Sequence, residues 1–138
     1  MALYKETGLG KITVDNKLFA GLIEEALQSE ECLDLIWLSS RKGKLIATGD
    51  GENFSEIASA IEIDGNPEES SIDMTIPVII KFGTSISRIT DKFCDILSEK
   101  MKEKSDAFPR TIKIIVTGVK SRNIAKRNLE IIKEYESR

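Results

Sequence analysis

Carboxylates are the first residues of this sequence with a spacing that could do chemistry. Asp91 and Asp95 lie four residues apart, so a helix would place them one turn apart, where two carboxylates could bind a hard metal ion. Neither a third ligand nor an orienting group accompanies them, and two such carboxylates on a polar helix face are usually solvated charges. We therefore predict no metal site and no catalytic residues.

The absence of histidine and the positions of the two cysteines exclude further classes of catalytic and metal site. The chain of 138 residues contains no histidine, which excludes Ser–His and Cys–His nucleophile pairs, histidine bases and histidine metal sites. Cys32 and Cys94 lie far apart in the sequence and form no Cys-x-x-Cys pair, so a zinc site is not expected. We predict two buried free thiols, while a disulfide would require their Cα atoms within about 7 Å.

Glycine spacing argues against nucleotide and cofactor binding. No two of the nine glycines are three residues apart, so the GxGxxG dinucleotide pattern and the GxxG clamp of KH domains are both missing. The sequence also lacks the GxxxxGK[ST] phosphate loop and the GxSxG nucleophile elbow. We predict that the protein is not an enzyme and has no cofactor.

Composition indicates a folded domain in the cytoplasm. Apolar residues make up 41% and charged residues 31% of the chain, which is typical of a globular domain. No apolar run approaches the roughly 20 residues of a membrane span, and the first residues lack the apolar segment of a signal peptide. We expect a single domain over residues 1–138 with no direct membrane span.

Apolar periodicity predicts alternating strands and helices. Alternation with period two is clearest over residues 72–82, and Pro77 within this strand implies an edge, a bulge or a missing partner. Spacing of 3.6 residues predicts helices over residues 17–29 and 86–104. The other predicted elements are strands over residues 10–14, 33–38 and 111–119, a short helical turn and a strand within residues 54–64, and a last helix over residues 121–136.

This order predicts an α+β fold, in the sense of a two-layer α/β domain. A small mixed sheet of about four to five strands would carry two to three helices, packed mainly on one face. The core would span residues 8–120, with the last helix following it. A turn at Gly65 makes part of the sheet antiparallel, and the helix after residue 82 allows a parallel crossover.

Three segments resemble the bacterial alkaline shock protein family, also called envelope stress response proteins. They are Gly-Lys-Ile-Thr-Val-Asp at 10–15, Ile-Pro-Val-Ile-Ile-Lys-Phe-Gly at 76–83 followed by Thr-Ser-Ile, and Ile-Lys-Ile-Ile-Val-Thr-Gly-Val at 112–119. The resemblance covers roughly residues 8–120. It implies a non-catalytic cytoplasmic scaffold or adaptor that self-associates, in some members attached to the membrane through a membrane-anchored partner, and that is linked to envelope stress or homeostasis.

Two isoleucines are candidate interface residues. Ile79 and Ile115 each lie on the otherwise polar face of a predicted strand. If these strands are neighbours, the two side chains form an apolar spot on the second face of the sheet. Either the last helix covers this spot or another molecule does, and both alternatives stay open at the level of sequence.

Charge provides the other interface candidates. Residues 1–69 carry 6 basic and 14 acidic side chains, whereas residues 70–138 carry 14 basic and 9 acidic ones. This asymmetry predicts head-to-tail self-association that weakens with salt. Nucleic-acid binding by the basic half is the alternative function, disfavoured by the net charge of −3 and by the few aromatic residues. The basic interface candidates are Lys120, Arg122, Lys126 and Arg127.

Overall fold

The clearest alternating segment of the sequence becomes the central strand of a five-stranded sheet. The structure is a computed structural model that describes residues 4–6, 12–14, 16–46, 54–66, 71–104, 108–121 and 124–135. These residues form, in chain order, β1 (Tyr4–Glu6), β2 (Ile12–Val14), α1 (Asn16–Leu27), β3 (Ile36–Leu38), α2 (Phe54–Ala60), β4 (Glu62–Asn66), β5 (Ser71–Lys81), α3 (Ile86–Lys104), β6 (Phe108–Lys120) and β7 (Ile124–Glu134).

The sheet is mixed, with β5 at its centre. β5 runs parallel to β6, and α3 makes the crossover that a parallel pair requires. β7 continues the sheet antiparallel to β6. On its other side β5 pairs antiparallel with both β4 and β3, while β1 and β2 form a separate two-stranded sheet. The predicted α+β fold with a small mixed sheet is confirmed.

Pro77 marks the boundary between the two short partners of β5. The pairing with β4 ends at Thr75, and the pairing with β3 begins at Val78. Proline has no N–H to donate to a neighbouring strand, although its carbonyl still accepts a hydrogen bond of 3.0 Å from the Ser39 amide. Of the three alternatives predicted for Pro77, an edge, a bulge or a missing partner, the strand pairing on this side of β5 shows the missing partner.

The main core lies between the helices and one face of the sheet. The alternate β5 residues Ile72, Met74, Ile76, Val78 and Ile80 share one buried cluster with side chains from α1, α2 and α3. Full burial of such side chains stabilises the fold by about 1.5–3 kcal/mol each relative to exposure. Cys32 and Cys94 belong to this cluster as free buried thiols, as predicted.

The predicted last helix is wrong, because residues 124–134 form β7. The isoleucines and leucine of this segment fit a helix as well as a strand, and its charged residues do not decide between them. The 13-residue strand β6 would otherwise leave a long row of backbone groups without partners, and β7 pairs with it from Lys120 back to Thr111. The sheet therefore extends beyond the predicted core boundary at residue 120.

The remaining elements agree with the sequence to different degrees. α3 covers the predicted residues 86–104, and the turn and strand predicted within 54–64 appear as α2 and β4. The strand predicted over 33–38 begins only at Ile36, because residues 28–35 form turns in which Asp34 has a φ of 62°. β1 was not predicted. Among the described helices, none combines the length and apolar character needed to cross a membrane.

Candidate interaction site

β7 forms one edge of the sheet over eleven residues. It pairs with β6 on one side, and no strand of the described part of the chain pairs with its other side. The Tyr135 amide donates a hydrogen bond of 2.9 Å to the Arg110 carbonyl of β6. Since backbone groups alternate between the two edges of an antiparallel strand, those of Glu134, Ile132 and Glu130 point away from β6.

Large apolar side chains are exposed along this strand. The exposed fractions are 55% for Ile132, 40% for Leu129 and 37% for Ile124. By register, Leu129 lies beside buried Val116 on the helix-covered face. Ile132 lies opposite Lys113 on the other face. Both faces of β7 therefore present apolar surface next to an open backbone edge, which is the arrangement that favours strand addition.

Polar contacts hold the end of β7 onto α3. The Lys133 ammonium donates a hydrogen bond of 3.1 Å to Asp91, which raises the pKa of Lys133, and lies 3.9 Å from Asp95. The Tyr135 hydroxyl donates to Asp95 at 3.3 Å, and burial raises the pKa of Tyr135. The two carboxylates considered above as cation ligands thus contact Lys133 of β7 and Tyr135, the residue that follows it. No group of three metal-ligating side chains occurs among the described residues.

Ile79 and Ile115 lie on the neighbouring strands β5 and β6, outside the main core cluster. Ile79 is fully buried and Ile115 is 8% exposed. In register, Ile79 lies between Trp37 of β3 and Gly118 of β6. A Cβ at Gly118 would lie 2.8 Å from Ile124 Cγ2. The side chains of β3 and β7, rather than a helix, therefore pack near Ile79, and neither isoleucine presents an open surface.

The turn that follows β3 also lies on the second face. Ser39 pairs with Leu45 in a β-bridge, and Gly43 at the tip has a φ of 88°. A Cβ at Gly43 would lie 3.6 Å from the Thr117 carbonyl. The hydroxyls of Ser39 and Thr117 share a hydrogen bond of 2.6 Å. This turn therefore packs against β6 where the β6–β7 register shifts.

Of the basic interface candidates, Lys120 has a side-chain partner within the described part of the chain. The Lys120 ammonium lies 4.6 Å from the centroid of the Trp37 ring, in a cation–π contact. Lys126 and Arg127 lie within β7, where the Lys126 backbone pairs with Gly118. Arg122 lies outside the described residues.

Many other basic residues of the second half have acidic partners within 4 Å. Two of these ion pairs, Lys104–Glu25 and Lys92–Glu31, join the basic half of the sequence to the acidic half. The uneven distribution of charge along the sequence is therefore partly neutralised within the fold. The other pairs are Arg110–Asp73, Lys113–Glu130 and Lys133 with Asp91 and Asp95.

A second surface lies at the carboxyl ends of β5 and β6. A cavity of about 480 Å³ opens there beside the start of α3. The sequence alternation placed Phe82 on the buried face, but β5 ends at Lys81 and the Phe82 side chain is 70% exposed. Gly83 follows with a φ of 86° and turns the chain towards α3. The residues lining the cavity are Ile80, Lys81, Phe82, Gly83, Thr84, Ile86, Val119, Ser121 and Ala125.

Comparisons with models of known protein families, with curated proteins and with solved structures give no match. The similarity to alkaline shock proteins therefore stays a prediction from the three sequence segments. Within the described part of the chain, β7 presents an eleven-residue strand edge that no other strand pairs with.

Proposed function

We propose that this protein is a non-catalytic scaffold or adaptor that acts through protein–protein contacts, with self-association the first of them. The observation that carries the proposal is the edge strand β7, whose outer side pairs with none of the described strands and which bears exposed Ile132, Leu129 and Ile124. In proteins that stay monomeric, edge strands are usually short, covered by other elements or interrupted. An open edge with apolar neighbours is suited to receiving a strand from another chain.

The resemblance adds a cellular setting to this proposal. On that basis we propose that the protein acts in the cytoplasm, with a membrane-anchored protein as a further candidate partner, in the envelope stress response or envelope homeostasis. These parts of the proposal rest on the segments at 10–15, 76–83 and 112–119.

Nucleic-acid binding is the alternative, and the distribution of basic side chains does not favour it. Arg110, Lys113 and Lys133 each lie within 4 Å of a carboxylate. A phosphate backbone would have to compete with those carboxylates. Binding of nucleic acid depends on many basic groups that are free to neutralise phosphates.

Sedimentation velocity over a range of protein concentrations tests the proposal. We expect a concentration-dependent shift from monomer to dimer or higher oligomer at low salt, and a gel shift with mixed RNA and DNA should show no complex. A Kd of roughly 100 μM is already weak for a protein–protein contact. A chain that stays monomeric at every concentration up to that value would contradict self-association. A nucleic-acid complex at physiological salt would favour the alternative function.

A further inference from the structure

We infer that β7 binds β7 of a second copy of this chain, in an antiparallel two-fold pair centred on Asn128. The two five-stranded sheets would then form one continuous sheet. This inference rests on the proposed self-association and specifies the surface and the register. It replaces the head-to-tail arrangement expected from the charge asymmetry with a two-fold one. Three properties of β7 identify a second copy of β7 as its partner: its outward hydrogen-bonding groups, its charge pattern and its apolar residues.

The backbone geometry of β7 provides the first step. The hydrogen bond from Tyr135 to Arg110 fixes which backbone groups face β6. The N–H and C=O groups of Ile132 and Glu130 consequently face outward, where a second strand can pair with them. A second copy offers the same groups at the same spacing, so a two-fold pair satisfies both edges at once.

The charge order along β7 provides the second step. The sequence has Lys126 and Arg127 in the first half of the strand and Glu130 in the second half. A parallel pair of identical strands would bring like charges together. An antiparallel pair brings the basic half of each strand to the acidic half of the other, and opposite charges in cross-strand positions stabilise a pair.

The apolar residues select the register. A two-fold axis perpendicular to the sheet keeps each face on its own side, so only residues of the same face can lie opposite each other. The β6–β7 register shifts between Leu129 and Lys126, but Ile124 and Lys126 pair with Lys120 and Gly118, which lie on the face of Trp37 and Ile79. Ile124 and Lys126 therefore share the face of Glu130 and Ile132. Centring the pair on Asn128 places Ile124 opposite Ile132 and Lys126 opposite Glu130, each twice by symmetry. Centring it on Glu130 would place the two Glu130 residues opposite each other, and centring it on Leu129 would place Lys126 opposite Ile132.

Charges on an edge strand commonly prevent unwanted pairing. The charges of β7 disfavour some pairings and allow others. Lys133 is turned to Asp91 and Asp95 of its own chain, which leaves its charge matched whether or not a partner is present. The charges of both signs on the strand repel a parallel copy and fit an antiparallel one. The same residues therefore act against indiscriminate pairing and in favour of this one arrangement.

A charge-swap series tests the register in the full-length chain. Lys126→Glu and Glu130→Lys should each raise the Kd for self-association on the order of ten-fold, because each turns two attractive pairs between the copies into repulsive ones. Glu130→Lys also removes the ion pair with Lys113 of its own chain. The double variant should therefore recover most of the lost affinity, with a Kd nearer to that of the wild type than to that of either single variant. In one extended strand these two positions are about 13 Å apart, so recovery in the double variant requires contact between copies.

Disulfide cross-linking supplies a second, independent test. Asn128→Cys should form a covalent dimer on oxidation with diamide, because the two copies of residue 128 face each other across the axis. Ser87→Cys, at an exposed position of α3, is the matched control and should remain largely monomeric. The native thiols Cys32 and Cys94 are buried and do not compete.

The outcomes separate this inference from the proposed function. Self-association that persists unchanged in all charge variants, without an Asn128→Cys dimer, would show that another surface joins the copies and would overturn the inference alone. A wild-type chain that stays monomeric would overturn both. Weakening by each single reversal, recovery in the double variant and a covalent dimer at residue 128 together support the inference.

Discussion

The two edges of the five-stranded sheet are built in opposite ways. At one edge, β5 is covered by β3 and β4, which are three and five residues long and separate at Pro77. The turn after β3 then folds back, so that the Ile46 amide donates a hydrogen bond of 3.0 Å to the Leu38 carbonyl. At the other edge, β7 runs for eleven residues, and no strand of the described chain pairs with its outer side.

The features that protect a sheet edge are therefore found on the β3–β4 side of this sheet. Short strands, a proline and a turn that folds back all discourage a further strand from adding to a sheet. On the β7 side the chain instead leaves a row of backbone groups and three exposed apolar side chains accessible. This contrast between the two edges, seen among the described strands, is the one that the proposed binding at β7 would explain.

Proline substitutions in β7 give the largest expected effect. Ile131→Pro removes an N–H that faces β6 and a side chain that packs on the core, so it should lower the free energy of unfolding by about 3 kcal/mol. Ile132→Pro removes an N–H that faces outward, so the chain should stay folded and lose self-association. Circular dichroism with urea titration, followed by sedimentation, measures both effects.

The two variants would contradict this interpretation of the edge if their effects were reversed. An unfolded Ile132→Pro chain, or an Ile131→Pro chain of unchanged stability, would mean that the backbone alternation of β7 is opposite to the one inferred from the Tyr135–Arg110 bond.

Threonine substitutions compare a buried position with an exposed one. Ile79→Thr places a hydroxyl where the side chain is fully buried, so we expect a loss of about 2 kcal/mol in the free energy of unfolding. Ile132→Thr should change stability by no more than about 0.5 kcal/mol and should weaken self-association. Ile115→Thr should behave like Ile79→Thr. Chemical denaturation and sedimentation of the three variants separate core residues from interface residues.

Alkaline pH should weaken the α3 layer that supports β7. Burial raises the pKa of Cys94 from 9.0 to about 12, so the folded chain keeps a proton that the unfolded chain releases. The contribution of the protonated Cys94 thiol to the free energy of unfolding is complete below the unfolded pKa and decreases as the pH rises above it. The loss should reach about 1 kcal/mol from about pH 9 to about pH 10, and the stability of Cys94→Ala should fall less steeply over this interval.

Acid should weaken the β4–β5 side, by a smaller amount. Asp73 of β5 accepts hydrogen bonds from Arg110, which lower the pKa of Asp73. The carboxylate therefore stabilises the fold above its unfolded pKa of 3.8, and this contribution is lost as pH falls through the lower folded value. Solvent screening limits the effect to about 0.5 kcal/mol. Urea titrations of Asp73→Asn and wild type at neutral and acid pH should converge in acid.

The fold was predictable where one period dominated the local sequence. β5 and α3 each have a long run of one apolar period, and both were predicted within one residue of their observed ends. β7 was not predictable in this way, because its apolar residues fit two periods and its state depends on the partner edge of β6. The strand character of that segment, and hence the open edge, follows from tertiary hydrogen bonding that no local pattern encodes.

The candidate site was predictable only in part for the same reason. The sequence drew attention to Ile79 and Ile115 because they interrupt polar faces, but both side chains are buried in the folded chain. Ile132 and Leu129 lay in a segment predicted as helix, where they contributed to an ordinary apolar stripe. Their exposure depends on the sheet ending at β7, which the local sequence does not indicate.

The contact between Lys120 and Trp37 gives the protein an optical reporter. Trp37 is the one tryptophan of the chain, and a lysine ammonium lies over its ring on the second face of the sheet. Its fluorescence should respond to ligands that displace Lys120 or cover that face, and should change little when only the outer edge of β7 is occupied. Emission during titration therefore distinguishes binding on the face from binding at the edge without any added label.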